Sequence, residues 1–124
     1  MKIEKKVLDS FDKAYAVAFM EVNSELNCVV ATEGFGPCKT YNSSKNWELA
    51  PVWDGPGGTM NIVPLPGRKN EFYATQDFTP TFQAKASKVV HAVYRDGAWV
   101  VTPVMTIPYL HRFDVIEHHG SLVF

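Results

Sequence analysis

Apolar residues along this chain recur with a period of two, in short runs divided by turn-forming residues. Four such runs follow one another between Met60 and Met105: Met60 to Leu65, Glu71 to Gln76, Lys88 to Tyr94 and Trp99 to Met105. Pro66-Gly67 separates the first two and Asp96-Gly97 the last two. Asp-Gly between apolar runs is a strong hairpin signal, because both central residues of the tight turn need positive φ. The runs are rich in β-branched and aromatic residues, which predicts strands. No internal stretch carries a helical period; only Ile3 to Ala14 is left as either a short helix or a frayed terminal arm.

The pattern repeats. Ala18 to Phe35 aligns without a gap with Asn61 to Phe78, at an offset of 43 residues. Phe19 then meets Ile62, Val22 meets Leu65, and the pair Ala31-Thr32 meets Ala74-Thr75. Trp47 to Val52 and Trp99 to Val104 share the pattern Trp-x-x-x-Pro-Val at an offset of 52. A third copy starts at Arg112, places Phe113 over Ile62, and reaches partway through a second strand. The chain therefore divides into an N-terminal arm (1–16), repeat one (17–59), repeat two (60–110) and a partial repeat three (111–124).

Proline cannot donate to a strand ladder, so the strands holding Pro51 and Pro103 are predicted to be outermost in their sheets. Trp47 and Trp99 should then be equivalent, and Phe19, Ile62 and Phe113 should share the buried face of successive first strands. Four strands per repeat with a protected outer edge is the blade pattern of a β-propeller. The expected fold is all-β: repeated four-stranded antiparallel sheets forming a partial propeller of about two and a half blades. A single β-sandwich is the alternative for the same strands. Propellers have roughly four to eight blades, so the remainder of a longer chain, or further copies of this one, is expected to close the ring.

Composition narrows the function classes. Hydrophobic residues make up 46% of the 124 residues and charged ones 20%, an ordinary globular balance rather than a disordered one. The net charge of −1 gives no electrostatic reason to expect nucleic acid or an anionic membrane as partner. Met1 to Lys6 is charged and no apolar run nears the roughly 18 residues of a membrane span, which predicts a soluble, cytoplasmic chain. Cys28 and Cys38 match no metal spacing and read as buried thiols; a disulfide between them would need an oxidising compartment.

The densest polar cluster is Tyr109-Leu110-His111-Arg112-Phe113-Asp114. In a propeller the first strand of each blade lines the central channel. His111 entering that strand is a candidate general base or ligand for a divalent metal, of unknown identity, with Asp114 beside it. Arg112 and Asp114, two apart, could pair on one face of a strand. The competing reading is a structural histidine and a structural ion pair. His118-His119-Gly120 falls in the first hairpin of repeat three, and His91 lies within an apolar strand as a half-buried, hydrogen-bonded residue. The loop Trp53-Asp54-Gly55-Pro56-Gly57-Gly58-Thr59 lacks the Gly-Lys-Ser/Thr ending of a phosphate loop. Trp53 and Asp54 could bind a sugar by stacking and hydrogen bonding, or the loop could be a linker using glycine for positive φ.

Several motifs together resemble one family. Asn61-Ile62-x-x-Leu65-Pro66-Gly67, Glu71-Phe72-Tyr73-Ala74, Phe78-x-Pro80-x-Phe82 and Pro108-Tyr109-x-His111-Arg112-Phe113-Asp114 resemble the early blades of propeller proteins related to aldos-2-ulose dehydratase. The resemblance covers roughly residues 50 to 124. It implies a metal-assisted lyase, or dehydratase, acting on keto-sugars; the residues expected at the chemistry (His111, Asp114) and at the substrate (Trp53, Asp54, Arg112) come from their positions in the repeat, not from the resemblance. Members of that group are much longer than this chain. The competing function is a non-catalytic module that binds a glycan or a protein, or assembles with one.

Overall fold

The computed structural model describes residues 1–80 and 83–124. Phe82, part of one motif above, lies outside the described residues. Among the described residues ten strands form three antiparallel sheets. The first holds β1 (Ala14–Val22), β2 (Glu25–Thr32), β3 (Cys38–Asn42) and β4 (Glu48–Trp53), side by side in chain order. The second holds β5 (Ile62–Pro64), β6 (Glu71–Gln76), β7 (Lys88–Arg95) and β8 (Ala98–Thr106), in the same order. The third is the hairpin of β9 (Ile116–His118) and β10 (Ser121–Val123). No α-helix occurs among the described residues; residues 3–11 form an arm without regular secondary structure that leads through a turn at 12–13 into β1. The chain is all-β and none of its sheets closes on itself.

The turns explain the hairpins. Asn23-Ser24, Asp96-Gly97 and His119-Gly120 each place two consecutive residues at positive φ, between 49° and 83°. This turn matches the right-handed twist of paired strands. Asp96-Gly97 and His119-Gly120 fall where the sequence predicts hairpins. Asn46 and Trp47, φ 51° and 61°, make a similar turn before β4.

β4 pairs only with β3, and β8 only with β7, so Pro51 and Pro103 do lie on edge strands. Each edge strand also carries a one-residue irregularity, opposite Cys38/Lys39 and opposite Val89/Val90.

Side-chain alternation then builds the core. One face of the first sheet, with Ala16, Met20, Val29, Ala31, Cys38 and Trp53, packs on one face of the second, with Ile62, Phe72, Ala74, Val90 and Ala92. Phe72 is fully buried at the centre, its ring 6.2 Å from Trp53 across the sheets and 5.3 Å from Trp99 in its own sheet. The opposite face of the second sheet carries Val63, Leu65 and Tyr73, and these pack against Val115, Phe113 and Leu122 of the third unit. Thus the middle sheet is covered on both faces at β5 and β6, while Val100 and Thr102 on β8 stay exposed on the outer face.

Two expected equivalences fail, each through register. Ala31 and Ala74 are equivalent, both fully buried, but Ala31 pairs with Ala16 whereas Ala74 pairs with Ile62. The first strands are therefore displaced by three residues relative to the ungapped alignment. An odd displacement reverses the face: Ile62 corresponds to Ala16, and Phe19 points outward at 59% exposure. On the edge strands, Thr40 pairs with Ala50 and Ala92 pairs with Val101, an offset one residue short of that of the repeated tryptophans. Trp47 falls in the turn, while Trp99 lies in β8 and packs against the core. Phe113 is half-buried and precedes β9 rather than lying in a strand.

The thiols sit on opposite sides of the first sheet. Cys38 belongs to the core and pairs with Ala31, Cys28 pairs with Tyr41, and both are free. Burial pushes both above the usual thiol range. The arm is tied to this outer face at Asp9, whose carboxylate accepts hydrogen bonds from the Tyr41 hydroxyl at 2.8 Å and from Lys39 Nζ at 3.1 Å.

These bonds generate two predictions. Ile62→Ala should cost about 2–5 kcal/mol in a urea melt, as for a large-to-small change in a core; a loss below roughly 0.5 kcal/mol, typical of a surface site, would contradict its placement. Asp9 is held below the usual carboxylate range, first by the Tyr41 hydroxyl, then by the Ser10 backbone N–H and by Lys39. A depressed carboxylate contributes above its ordinary value and loses that contribution as pH falls through the lowered one. The arm should therefore be docked at neutral pH and released in acid. Amide exchange over residues 6–12 should accelerate on acidification, relative to intrinsic rates, and Asp9→Asn should remove that pH dependence.

Candidate functional site

The connection from repeat one to repeat two is built for close packing. A Cβ on Gly57 would fall 1.8 Å from the Gly34 carbonyl oxygen, and one on Gly58 would fall 2.4 Å from the Phe78 nitrogen. Backbone bonds tie this segment on both sides. Gly58 donates to Gly34 O at 2.8 Å, Thr59 to Thr32 O at 3.0 Å, and Asp77 to Gly57 O at 2.9 Å. Glycine is required here for backbone approach, so this loop acts as a linker between sheets.

The repeated Ala-Thr pair has a matching role. Thr32 and Thr75 are both buried at the ends of second strands. Thr32 Oγ1 donates to Asp12 O at 2.7 Å, just before β1. Thr75 Oγ1 accepts from the N–H groups of Met60 at 2.7 Å and Asn61 at 3.1 Å, just before β5. Each hydroxyl pins the chain as it enters the first strand of its sheet.

The polar residues singled out in the sequence are dispersed. His111 is exposed and precedes β9 instead of lying in it. Its ring stands edge-on to Phe78 at 5.3 Å and to Tyr15 at 6.2 Å. Asp114 Oδ1 accepts from the N–H of Val115 at 2.8 Å, and Arg112 and Asp114 do not pair. Arg112 borders a cavity of about 130 Å³ with Tyr15, Val17, Met60 and Asn61. Beside it, Asn61 Nδ2 donates to the Phe113 carbonyl at 2.6 Å. Among the described residues no three His, Cys, Asp or Glu side chains converge to hold a metal ion. The surroundings of His111 do not fit the divalent metal that the resemblance implies.

The remaining histidines have local partners. His91 is half-buried, with Nε2 2.7 Å from Glu71 Oε2 and its ring 4.7 Å from Tyr73. His118 and His119 are exposed in the β9–β10 hairpin, their rings 4.1 Å apart.

Trp53 also departs from expectation. Only 8% of it is exposed and its ring packs near Phe72, so it has no open face for a sugar to stack on. Its indole Nε1 is buried without a hydrogen-bond partner. Trp53 and the exposed Asp54 instead border a cleft of about 370 Å³ between β4 and β8, closed on the far side by Tyr94, Gly97 and Trp99. A neighbouring cleft of about 180 Å³ shares Tyr94 and Trp99 and adds Glu25, Asn27, Asn42 and Glu48. Tyr94 and Trp99 are a cross-strand pair flanking the Asp96-Gly97 turn, so the turn signal in the sequence carried their juxtaposition. The Asn and Glu residues meet them only because the two sheets stack, and no local signal marks them.

Comparisons with protein-family models, with curated proteins and with solved structures find no match. No helix is long and apolar enough to cross a membrane among the described residues.

Gly57→Ala should destabilise the chain by more than about 2 kcal/mol, since overpacking against backbone cannot be relieved by a rotamer change. Gly55→Ala, where nothing lies within 4 Å of the added carbon, should be close to neutral. Thermal melts of the two variants side by side check the linker role.

Proposed function

We propose that this chain is a non-catalytic assembly module of the β-propeller type, whose sheets stack in series and seat further sheets at the ends. One observation carries the reading: the middle sheet is covered on both faces at β5 and β6, by Trp53, Val29 and Ala31 on one side and by Val115 and Leu122 on the other. A two-layer sandwich leaves the outer face of each sheet to solvent. A propeller covers every sheet on both sides by a neighbour of the same kind.

Truncation after Leu110 tests the reading. Removing the third unit would uncover Val63, Leu65 and Tyr73. The stacked reading expects the loss of at least about 2 kcal/mol of stability, together with binding of a dye that reports apolar surface. A two-layer sandwich with a loose appendage expects a melting curve that barely moves.

The keto-sugar lyase reading rests on the resemblance alone, and no reaction step is assigned to His111 or Asp114. A carbohydrate ligand has one observation in its favour: the cleft bordered by Trp53 brings the rings of Trp99 and Tyr94 beside the exposed Asp54. Here Trp99 would supply the stacking surface and Asp54 an acceptor. This reading is tested with a panel of neutral monosaccharides and keto-sugars, following indole fluorescence in the chain and in Trp99→Ala.

A further inference from the structure

The internal repeat assigns a partner to the outer face of the first sheet. Because Ala16 corresponds to Ile62 and Ala31 to Ala74, Val17 corresponds to Val63, Phe19 to Leu65, and Val30 to Tyr73. The pairing agrees: Val17 faces Val30 across β1 and β2 as Val63 faces Tyr73 across β5 and β6. On the second sheet Val63 and Leu65 are buried beneath the third unit. On the first sheet Val17 is 56% and Phe19 59% exposed, with Tyr15 and Leu26 exposed nearby. The arm covers only the side toward Val30 and Tyr41. The same apolar positions that seat a sheet in one repeat are thus uncovered in the other.

A complementary face lies at the opposite end of the stack. Ile116 and Val123 are a cross-strand pair on β9 and β10. Alternation turns them away from Val115 and Leu122, which pack on the second sheet. They are exposed, Ile116 at 56%. Since the middle sheet separates the two apolar faces, one chain cannot join them, whereas two chains can.

We propose that the outer face of the first sheet is the seat for the free face of the third sheet of a second copy of this chain. The contact is head-to-tail, Val17 and Phe19 of one copy against Ile116 and Val123 of the next, and it continues the stacking already present within each chain. It rests on the assembly reading above. A contact between two different patches leaves a free end on each side, so the copies close into a ring or extend further.

Light scattering and sedimentation of the intact chain test this. The wild type should associate increasingly with concentration up to about 100 µM. Phe19→Asp and Ile116→Asp each place a charge in the contact and should each weaken self-association by at least about tenfold. Mixing the two variants should restore a dimer and nothing larger, because one retains an intact seat and the other an intact hairpin face. Both sites are exposed, so the variants should melt like the wild type. Val17→Lys and Val123→Asp replace them if either fails to fold. A wild type that stays monomeric would overturn the proposal. So would an Ile116→Asp variant that associates like the wild type, which would mean that first sheets pair with each other. Neither result touches the truncation experiment, which reads packing inside one chain.

Discussion

Phe72 has no solvent on any side because two sheets and two tryptophans meet around it. It is the second residue of β6, with Trp53 reaching it from the first sheet and Trp99 from the edge of the second. Fully burying a side chain of this size contributes about 1.5–3 kcal/mol in area alone, and removing it would leave a cavity that rigid sheets cannot collapse into. The small residues around it follow from that demand. Ala31, Ala74 and Ala92 are all fully buried, and larger side chains there would push apart the faces that Phe72 joins.

Packing holds the faces together, but hydrogen bonds set their relative position. Thr32 and Thr75 pin the chain where it enters β1 and β5. The Gly57-Gly58 linker is clasped between the loops that follow β2 and β6, the strands that carry those threonines. At the other end Asn70 joins the sheets. It donates its N–H to Glu21 O at 3.1 Å, accepts from Tyr94 N–H at 2.8 Å, and through Oδ1 accepts from the Asn23 N–H. Buried or half-buried polar groups of this kind need partners. Meeting that need at both ends of a hairpin leaves the two sheets little freedom to slide.

This architecture bears on function through what it gathers and what it scatters. Catalysis by His111 and Asp114 would require a group of polar side chains at one point. Instead, His111 stands among aromatic edges and Asp114 caps its own neighbour. What the fold does gather is apolar surface at both ends of the stack and an aromatic cleft where β4 and β8 approach. These surfaces are what the proposed assembly uses.

Strands, tight turns and edge positions were legible in the amino-acid sequence, because each depends on a local property. A period of two marks β6 to β8 within a residue or so, Asp96-Gly97 marks a hairpin through positive φ, and Pro51 and Pro103 mark edges through a missing donor. The repeat was legible too, most firmly at Ala31-Thr32 and Ala74-Thr75, where burial and a pinning hydroxyl hold both copies to the same residues. The faces were not. A displacement of three residues in β1 turned Phe19 outward, and a displacement of one in β4 moved Trp47 into a turn and left Trp53 in the core. Sequence similarity is blind to such slips, because all of these positions are apolar or aromatic. Only the pairing of strands decides which way they point, and only the stacking of sheets decides which of them remain uncovered.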